Sequence, residues 1–304
     1  MRPSATSAPD GVLVIDKPAG PSSHDVVAAV RRVLGGVKVG HTGTLDPLAT
    51  GVLPLLVGRA TRLAQFMTAA TKTYEARVQF GWATDTYDAA GEPAGPATPA
   101  TIDRRTLDDR LDRFRGTFAQ RPPAYSAKKV GGHRAYALAR ANRAVALDAA
   151  MVTVHDLRVL EFDGAAVTLE VTSSAGFYVR ALAHDLGEEV GTPAHLAGLR
   201  RTRSGEFDLG QAVPLGVAMA TPTVALERLV PAGALLGHLP GYHVSEEGLR
   251  WVHNGRDVEP RMLLDAPPSA SDGPVRLLDA GGALIALALV RPGAGVLHPA
   301  VVLR

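Results

Sequence analysis

Cysteine is absent from the 304-residue chain. That excludes disulfides, thiolate nucleophiles and cysteine-ligated zinc or iron–sulfur centres. Long apolar runs are missing too. The most apolar stretch, ALIALALV at 283–290, falls far short of the ~20 residues a bilayer-crossing helix needs. The opening MRPSATSAPD lacks the apolar core of a signal peptide. These absences predict a cytoplasmic protein with no membrane partner. Walker A, G-x-G-x-x-G, G-x-S-x-G and H-E-x-x-H patterns are also missing, so the chemistry is expected to need neither a nucleotide cofactor nor a metal. A large excess of one charge sign is also missing: 32 Lys/Arg against 30 Asp/Glu leave a net charge of only +2, so an anionic partner has to be argued from where the cations lie.

The composition is 46% hydrophobic and 20% charged, ordinary for a globular protein, and the length allows about two domains. GVLVIDKP (11–18) reads as a strand, with a helix from Ser23 to Leu34 behind it; Ser22 and Asp25 stand at capping-box spacing and Gly35-Gly36 close it. A short strand at 52–57 and a helix near 60–69 are expected next. KTYEARVQF (72–80) alternates, with Tyr74, Ala76, Val78 and Phe80 on the inward face. Leu107, Leu111 and Phe114 mark one face of a helix, 151–162 and 165–172 read as paired strands, and YVRALAHDLGEEVG (178–191) reads as a helix. Strands and helices mixed without βαβ regularity predict an α+β fold with a mixed, mainly antiparallel sheet. The Pro/Gly-rich stretch 231–242 reads as a linker. Beyond it a small β-rich unit is expected, with a hairpin turning at Gly281-Gly282. The domain reading is therefore a flexible N-terminus (1–10), a catalytic domain (11–230) with an arm at 121–149, and a terminal domain at 240–304.

The densest chemistry lies in GHTGTLDPLATG, residues 40–51. Glycines allow such a loop conformations and close approaches that other residues resist. Pro47 biases Asp46 away from the helical region and stiffens its mounting, so the carboxylate can serve as nucleophile or base. Arg180 opens a helix otherwise apolar enough for burial, and a buried guanidinium demands a carboxylate. Asp46 is the attractive partner, with Asp185 as the alternative. Residues 121–143 hold six Lys/Arg, one His and two Tyr with no acidic residue. Cations for phosphates and tyrosines for stacking suit a nucleic acid. LRRTRSG (199–205) adds Arg200, Arg201 and Arg203 to that reading.

The order of GVLVIDKPAGPSSHD, GHTGTLDPLATG, KTYEARVQFG, TDTYDAAG, PPAYSAKKVGGHRAY, GFYVRALAHDLG and LRRTRSGEF closely resembles the TruB family of tRNA pseudouridine synthases. The resemblance covers roughly residues 11–210, and the tail resembles a small PUA-type RNA-binding domain. It implies a monomer that binds the T-arm of tRNA and converts uridine 55 to pseudouridine without cofactor, metal or obligatory protein partner. Asp46 would be the catalytic aspartate, Arg180 the residue that aims it, and Tyr74 the tyrosine packed on the target base. His41 would fill the space left by the flipped base, while Tyr178 and Leu199 line the pocket and Lys17 supports the loop. Lys128, Lys129, Arg134 and Arg200 would grip RNA. Phe177 stands where many members carry Thr, a departure that bears on packing around Tyr178. An RNA-folding protein with incidental activity and a guide-RNA-dependent modifier of the related archaeal and eukaryotic type are the competing readings.

Overall fold

The computed structural model describes residues 10–126, 129–130, 133–134, 147–266, 273–291 and 295–303. The chain starts with strand β1 (Gly11–Lys17), helix α1 (Ser23–Val33), β2 (Val39–His41) and β3 (Thr50–Val57). Helix α1 begins where the sequence places it. The Ser22 hydroxyl accepts from the Asp25 amide, and the Asp25 carboxylate accepts from the Ser22 amide. The segment expected to be one helix near 60–69 is instead a 3₁₀ turn, Gly58–Leu63, leading into a short α2 (Ala64–Thr68).

Strand β4 (Lys72–Phe80), helix α3 (Arg104–Leu111), β5 (Gly116–Gln120) and the two-residue strands β6 (Lys129–Val130) and β7 (His133–Arg134) follow. Next come β8 (Ala150–Phe162), β9 (Ala166–Ser173), helix α4 (Val179–Val190) and β10 (Ala194–Ser204). Short pieces then follow: β11 (Phe207–Asp208), β12 (Val213–Pro214), α5 (Leu215–Ala220), α6 (Pro222–Glu227) and β13 (Val230–Pro231). The remainder is β14 (Gly241–His243), α7 (Glu246–His253), β15 (Pro274–Leu278), β16 (Leu284–Val290) and β17 (Leu297–Val302).

The large sheet runs β12-β1-β3-β10-β4-β9-β8-β5. Most neighbours are antiparallel, as the α+β reading requires. Strands β3 and β10 are parallel and meet through only two residue pairs, Arg200 with Thr50 and Arg201 with Gly51. That brief junction opens the middle of the sheet, directly where the glycine-rich loop enters β3.

One core packs α1, α3 and α4 against the sheet through Val26, Val30, Leu107, Leu111, Leu182 and Leu186. Burying such side chains contributes about 1.5–3 kcal/mol each. A second core joins Val12, Val14, Val52 and Leu56 to Leu235, Leu236, Leu284 and Leu287. The 231–242 stretch is therefore not a free linker: its two leucines are buried between the large sheet and the four-stranded sheet β14-β15-β16-β17. The expected hairpin is present, β15 running antiparallel to β16. Lys128 and most of the 121–149 arm lie outside the described residues; the backbones of Lys129 and Arg134 face each other across β6 and β7.

Candidate active site

The loop between β2 and β3 is fixed residue by residue around Asp46. On its N-terminal side, the buried Ser23 hydroxyl accepts from the Leu45 amide at 2.8 Å and donates to the Leu45 carbonyl at 2.9 Å. On its C-terminal side, the Pro47 carbonyl accepts from the Gly20 amide and from Lys17 Nζ. Lys17 is fully buried and also donates to the carbonyls of Pro18 and Pro21. Burial pulls its pKa down to about 8, against the Asp46 charge, which raises it. Lys17 Nζ thus bridges the end of β1 and the carbonyl that follows Asp46. Asp46 is held from both neighbours while its side chain keeps 36% exposure.

Arg180 meets that carboxylate. Its guanidinium is 7% exposed, with Nε 2.9 Å from Asp46 Oδ2. The sequence left Asp46 and Asp185 open as partners, and the geometry selects Asp46. Arginine has five N–H donors in a fixed fork, so one carboxylate cannot satisfy it when buried. The remaining acceptors are the Thr86 carbonyl at 3.0 Å, the Tyr125 carbonyl at 2.8 Å and Asp88 Oδ2 at 3.5 Å. Burial raises the Asp46 pKa, Arg180 opposes that, and the Asp88 charge adds to it.

Tyr178 caps α4 from the extended region and is clipped by the buried Gln120, which donates to its carbonyl at 3.0 Å and accepts from its amide at 2.9 Å. Burial raises the Tyr178 hydroxyl pKa, and its charge environment includes both Arg180 and Asp46. Phe177 is absorbed by the core, edge-on to Phe118 with centroids 6.5 Å apart.

Arg201 corrects the sequence reading of a surface arginine cluster. Alternation along β10 turns it inward, where it is 1% exposed, and Arg200 outward; a register shift between Arg201 and Arg203 lets Arg203 turn outward as well. Buried arginine stays charged. Arg201 donates from Nε to the Val52 carbonyl at 2.7 Å and from a terminal nitrogen to the Gly43 carbonyl at 3.1 Å. Burial lowers its pKa while the neighbouring hydroxyl of the buried Tyr74 acts to raise it. A single cation thereby links the loop to β3, beside Tyr74. Burial lowers the His41 pKa, and the His24 and Arg201 charges lower it further, so its ring is neutral; Nδ1 accepts from the Gly43 amide. Arg200 forms a two-point pair with Asp16 at 2.8 and 3.1 Å. Leu199, half-buried, packs on the core and its carbonyl accepts from the Thr50 hydroxyl.

Asp88, Thr86, Gln120 and Arg201 are the residues that sequence reasoning missed at this site. The donor count of a buried arginine was the available signal for Asp88 and Thr86. As for a metal, His184, Asp185 and Glu188 bring ligand atoms within 4.8 Å of one another, but the His184 ring is covered by the stacked ring of Tyr87.

A partly exposed carboxylate paired with a buried, multiply held arginine is an arrangement suited to a nucleophile or base. Comparison with known proteins assigns its lineage. Residues 31–179 match the model of the TruB family pseudouridylate synthase N-terminal domain, and residues 180–220 match the tRNA pseudouridylate synthase B C-terminal domain. A curated tRNA pseudouridine synthase B from Solibacter usitatus is 46% identical over 297 residues, covering 97% of this chain and all of that one. The chain belongs to the TruB family. The protein of the same name from Geobacillus thermodenitrificans is 42% identical, with 97% of this chain and all of that one covered. A chain of a Cbf5-Nop10-Gar1 complex superposes with a TM-score of 0.75 at 26% identity, covering 100% of this chain and 88% of that one. The TruB family and the mixed-sheet fold expected from the sequence are both borne out, and this chain is a pseudouridine synthase. Among the described residues, no helix is long and apolar enough to cross a membrane.

Proposed function

We propose that this synthase isomerises uridine 55 in the T-loop of tRNA to pseudouridine, acting as a stand-alone cytoplasmic monomer without cofactor, metal or protein partner. Pseudouridine formation breaks the N-glycosidic bond and joins the same uracil to the same ribose through carbon. No redox change and no group transfer to another molecule are involved. The observation that carries this reading is the Asp46–Arg180 pair at 2.9 Å, with the arginine buried and the carboxylate open.

An ionised Asp46 begins either route, covalent attack or elimination to a glycal. Arg180 supports it by aiming the carboxylate through a charge-assisted bond and by favouring its ionised form. The target base has to leave the RNA stack, and His41, neutral and half-buried, fills the vacated space in this reading. Tyr74 offers its ring to the base while its hydroxyl lies beside Arg201. Tyr178 and Leu199 complete the pocket. Lys128, Lys129 and Arg134 grip the RNA backbone, and Arg200 contributes while sharing its charge with Asp16. The arm at 121–149 belongs to a catalytic domain spanning 11–230. The four-stranded unit within 240–304 serves as a PUA-like RNA-binding domain. Curated relatives named tRNA pseudouridine synthase B, matched over nearly the whole chain, favour the stand-alone tRNA enzyme over the guide-dependent reading.

The test is pseudouridine mapping on unmodified tRNA incubated with purified wild type or Asp46→Asn, with nothing else added. Pseudouridine at position 55 with wild type alone is the expected result. None with either protein, both folded, overturns the stand-alone synthase.

A further inference from the structure

The backbone at Tyr87 has φ +64°, and among the described residues only Leu236 shares a positive φ without being glycine. A bulky aromatic residue resists that region, so something has to hold it there. Its amide donates to the Thr84 carbonyl, and its carbonyl accepts from the Leu196 amide at 3.0 Å. Its two neighbours, Thr86 and Asp88, both face Arg180, one with its carbonyl and the other with its carboxylate. The left-handed turn at Tyr87 lies between these two acceptors, so its conformation sets how a main-chain carbonyl and a side-chain carboxylate converge on one guanidinium.

The Tyr87 ring is stacked on His184, with centroids 3.8 Å apart and planes inclined by 5°. His184 follows Arg180 by four residues on α4, so the two share one helix face. Helix α4 therefore grips the 84–91 loop at two points one turn apart: Arg180 takes the flanking acceptors and His184 takes the ring. Burial keeps both rings uncharged, raising the Tyr87 pKa and lowering that of His184.

We propose that Tyr87 and His184 are positioning residues whose ring stack locks Thr86 and Asp88 onto Arg180 and so fixes Arg180 against Asp46. The inference rests on Asp46 and Arg180 being the catalytic pair. It separates cleanly from a packing role, because the backbone alone asks only for a positive φ, which glycine supplies without strain.

The experiment measures kcat, KM and the pH profile of pseudouridine formation on unmodified tRNA for wild type, Tyr87→Gly, Tyr87→Phe and His184→Ala, with thermal melts alongside. Tyr87→Gly and His184→Ala are expected to lower kcat at least tenfold with KM within twofold. Their acid limb moves to higher pH, because a slackened Arg180 no longer opposes protonation of Asp46. Tyr87→Phe, which keeps the stack, retains wild-type kcat. Tyr87→Asn, also tolerant of left-handed backbone but ringless, supplies the same comparison where the glycine variant melts too low. Wild-type kcat and acid limb in the ringless variants overturn the clamp. A loss equally large in Tyr87→Phe assigns the effect to the phenol and overturns it as well. No pseudouridine from wild type overturns the catalytic reading, and the clamp with it.

Discussion

Arg180 Nε stands 2.9 Å from Asp46 Oδ2, with the arginine 7% and the carboxylate 36% exposed. The asymmetry puts the guanidinium inside and leaves the carboxylate partly open to solvent. Burial still raises the Asp46 pKa above its ordinary value. A carboxyl whose folded pKa is raised binds more protons folded than unfolded, so stability falls as pH climbs through that window and stays lower at neutral pH. Asp46→Asn removes this partly desolvated charge. It is expected to abolish pseudouridine formation, by ~10³-fold or more, as for loss of a central catalytic group. The same variant should melt above wild type at pH 8, with the difference shrinking toward pH 4. Calorimetry at both pH values checks this.

Asp88 and Arg180 act on Asp46 with opposite signs. The Asp88 charge raises its pKa and the Arg180 guanidinium lowers it. Asp88→Asn is therefore expected to shift the acid limb of kcat to lower pH, while Arg180→Met shifts it to higher pH. Both lower the plateau, Asp88→Asn by roughly tenfold because an orienting contact is lost while the Asp46 pair survives. Arg180→Met also leaves Asp88, 4% exposed, as an unpaired buried charge, which costs about 3–5 kcal/mol. The pH profiles of the two variants, measured side by side, decide it.

At Gly51 the chain is committed to glycine twice over. Its φ is +98°, and a Cβ there would stand 2.2 Å from the Arg201 carbonyl oxygen. Since Gly51 pairs with Arg201 at the parallel β3–β10 junction, nothing at that point can yield without parting the sheet. Gly51→Ala is expected to lose about 3 kcal/mol or more, combining backbone strain with overpacking. Urea unfolding gives the number, and a loss below about 1 kcal/mol contradicts the rigid junction.

Local signals carried most of the fold: the capping box at Ser22, alternation in β4 and the apolar face of α4 all appear where the sequence placed them. Asp46 was legible because Gly and Pro around it announce a special backbone. Asp88 was not, because its partner Arg180 is 92 positions away and only the tertiary fold brings them together. The 231–242 stretch misled because Pro and Gly suggest a linker, whereas Leu235 and Leu236 seal the second core. Arg201 misled for a different reason. Three arginines in LRRTRSG read as one cationic patch, but strand alternation turns the middle one into the protein, and its acceptors are carbonyls that no side-chain pattern announces.

That buried arginine and Tyr74 are the pair to test for a coupling between stability and activity. Arg201 is 1% exposed and serves the Val52 and Gly43 carbonyls, with the Tyr74 hydroxyl beside it. Arg201→Met strands two buried carbonyls at about 1–3 kcal/mol each, a melting-temperature drop of roughly 4–24 °C at ~2–4 °C per kcal/mol. Tyr74→Phe removes one acceptor and is expected to lose only ~1 kcal/mol. If the pair is real, the double variant is less destabilised than the sum of the singles by about 1 kcal/mol, since the shared bond is lost only once. Activity separates the two roles open to Tyr74. Phenylalanine keeps the stacking face, so kcat of Tyr74→Phe should stay within ~10-fold of wild type if stacking dominates. A loss of 10²–10⁴-fold is the size expected of general acid–base catalysis and would place the hydroxyl in the proton transfer itself.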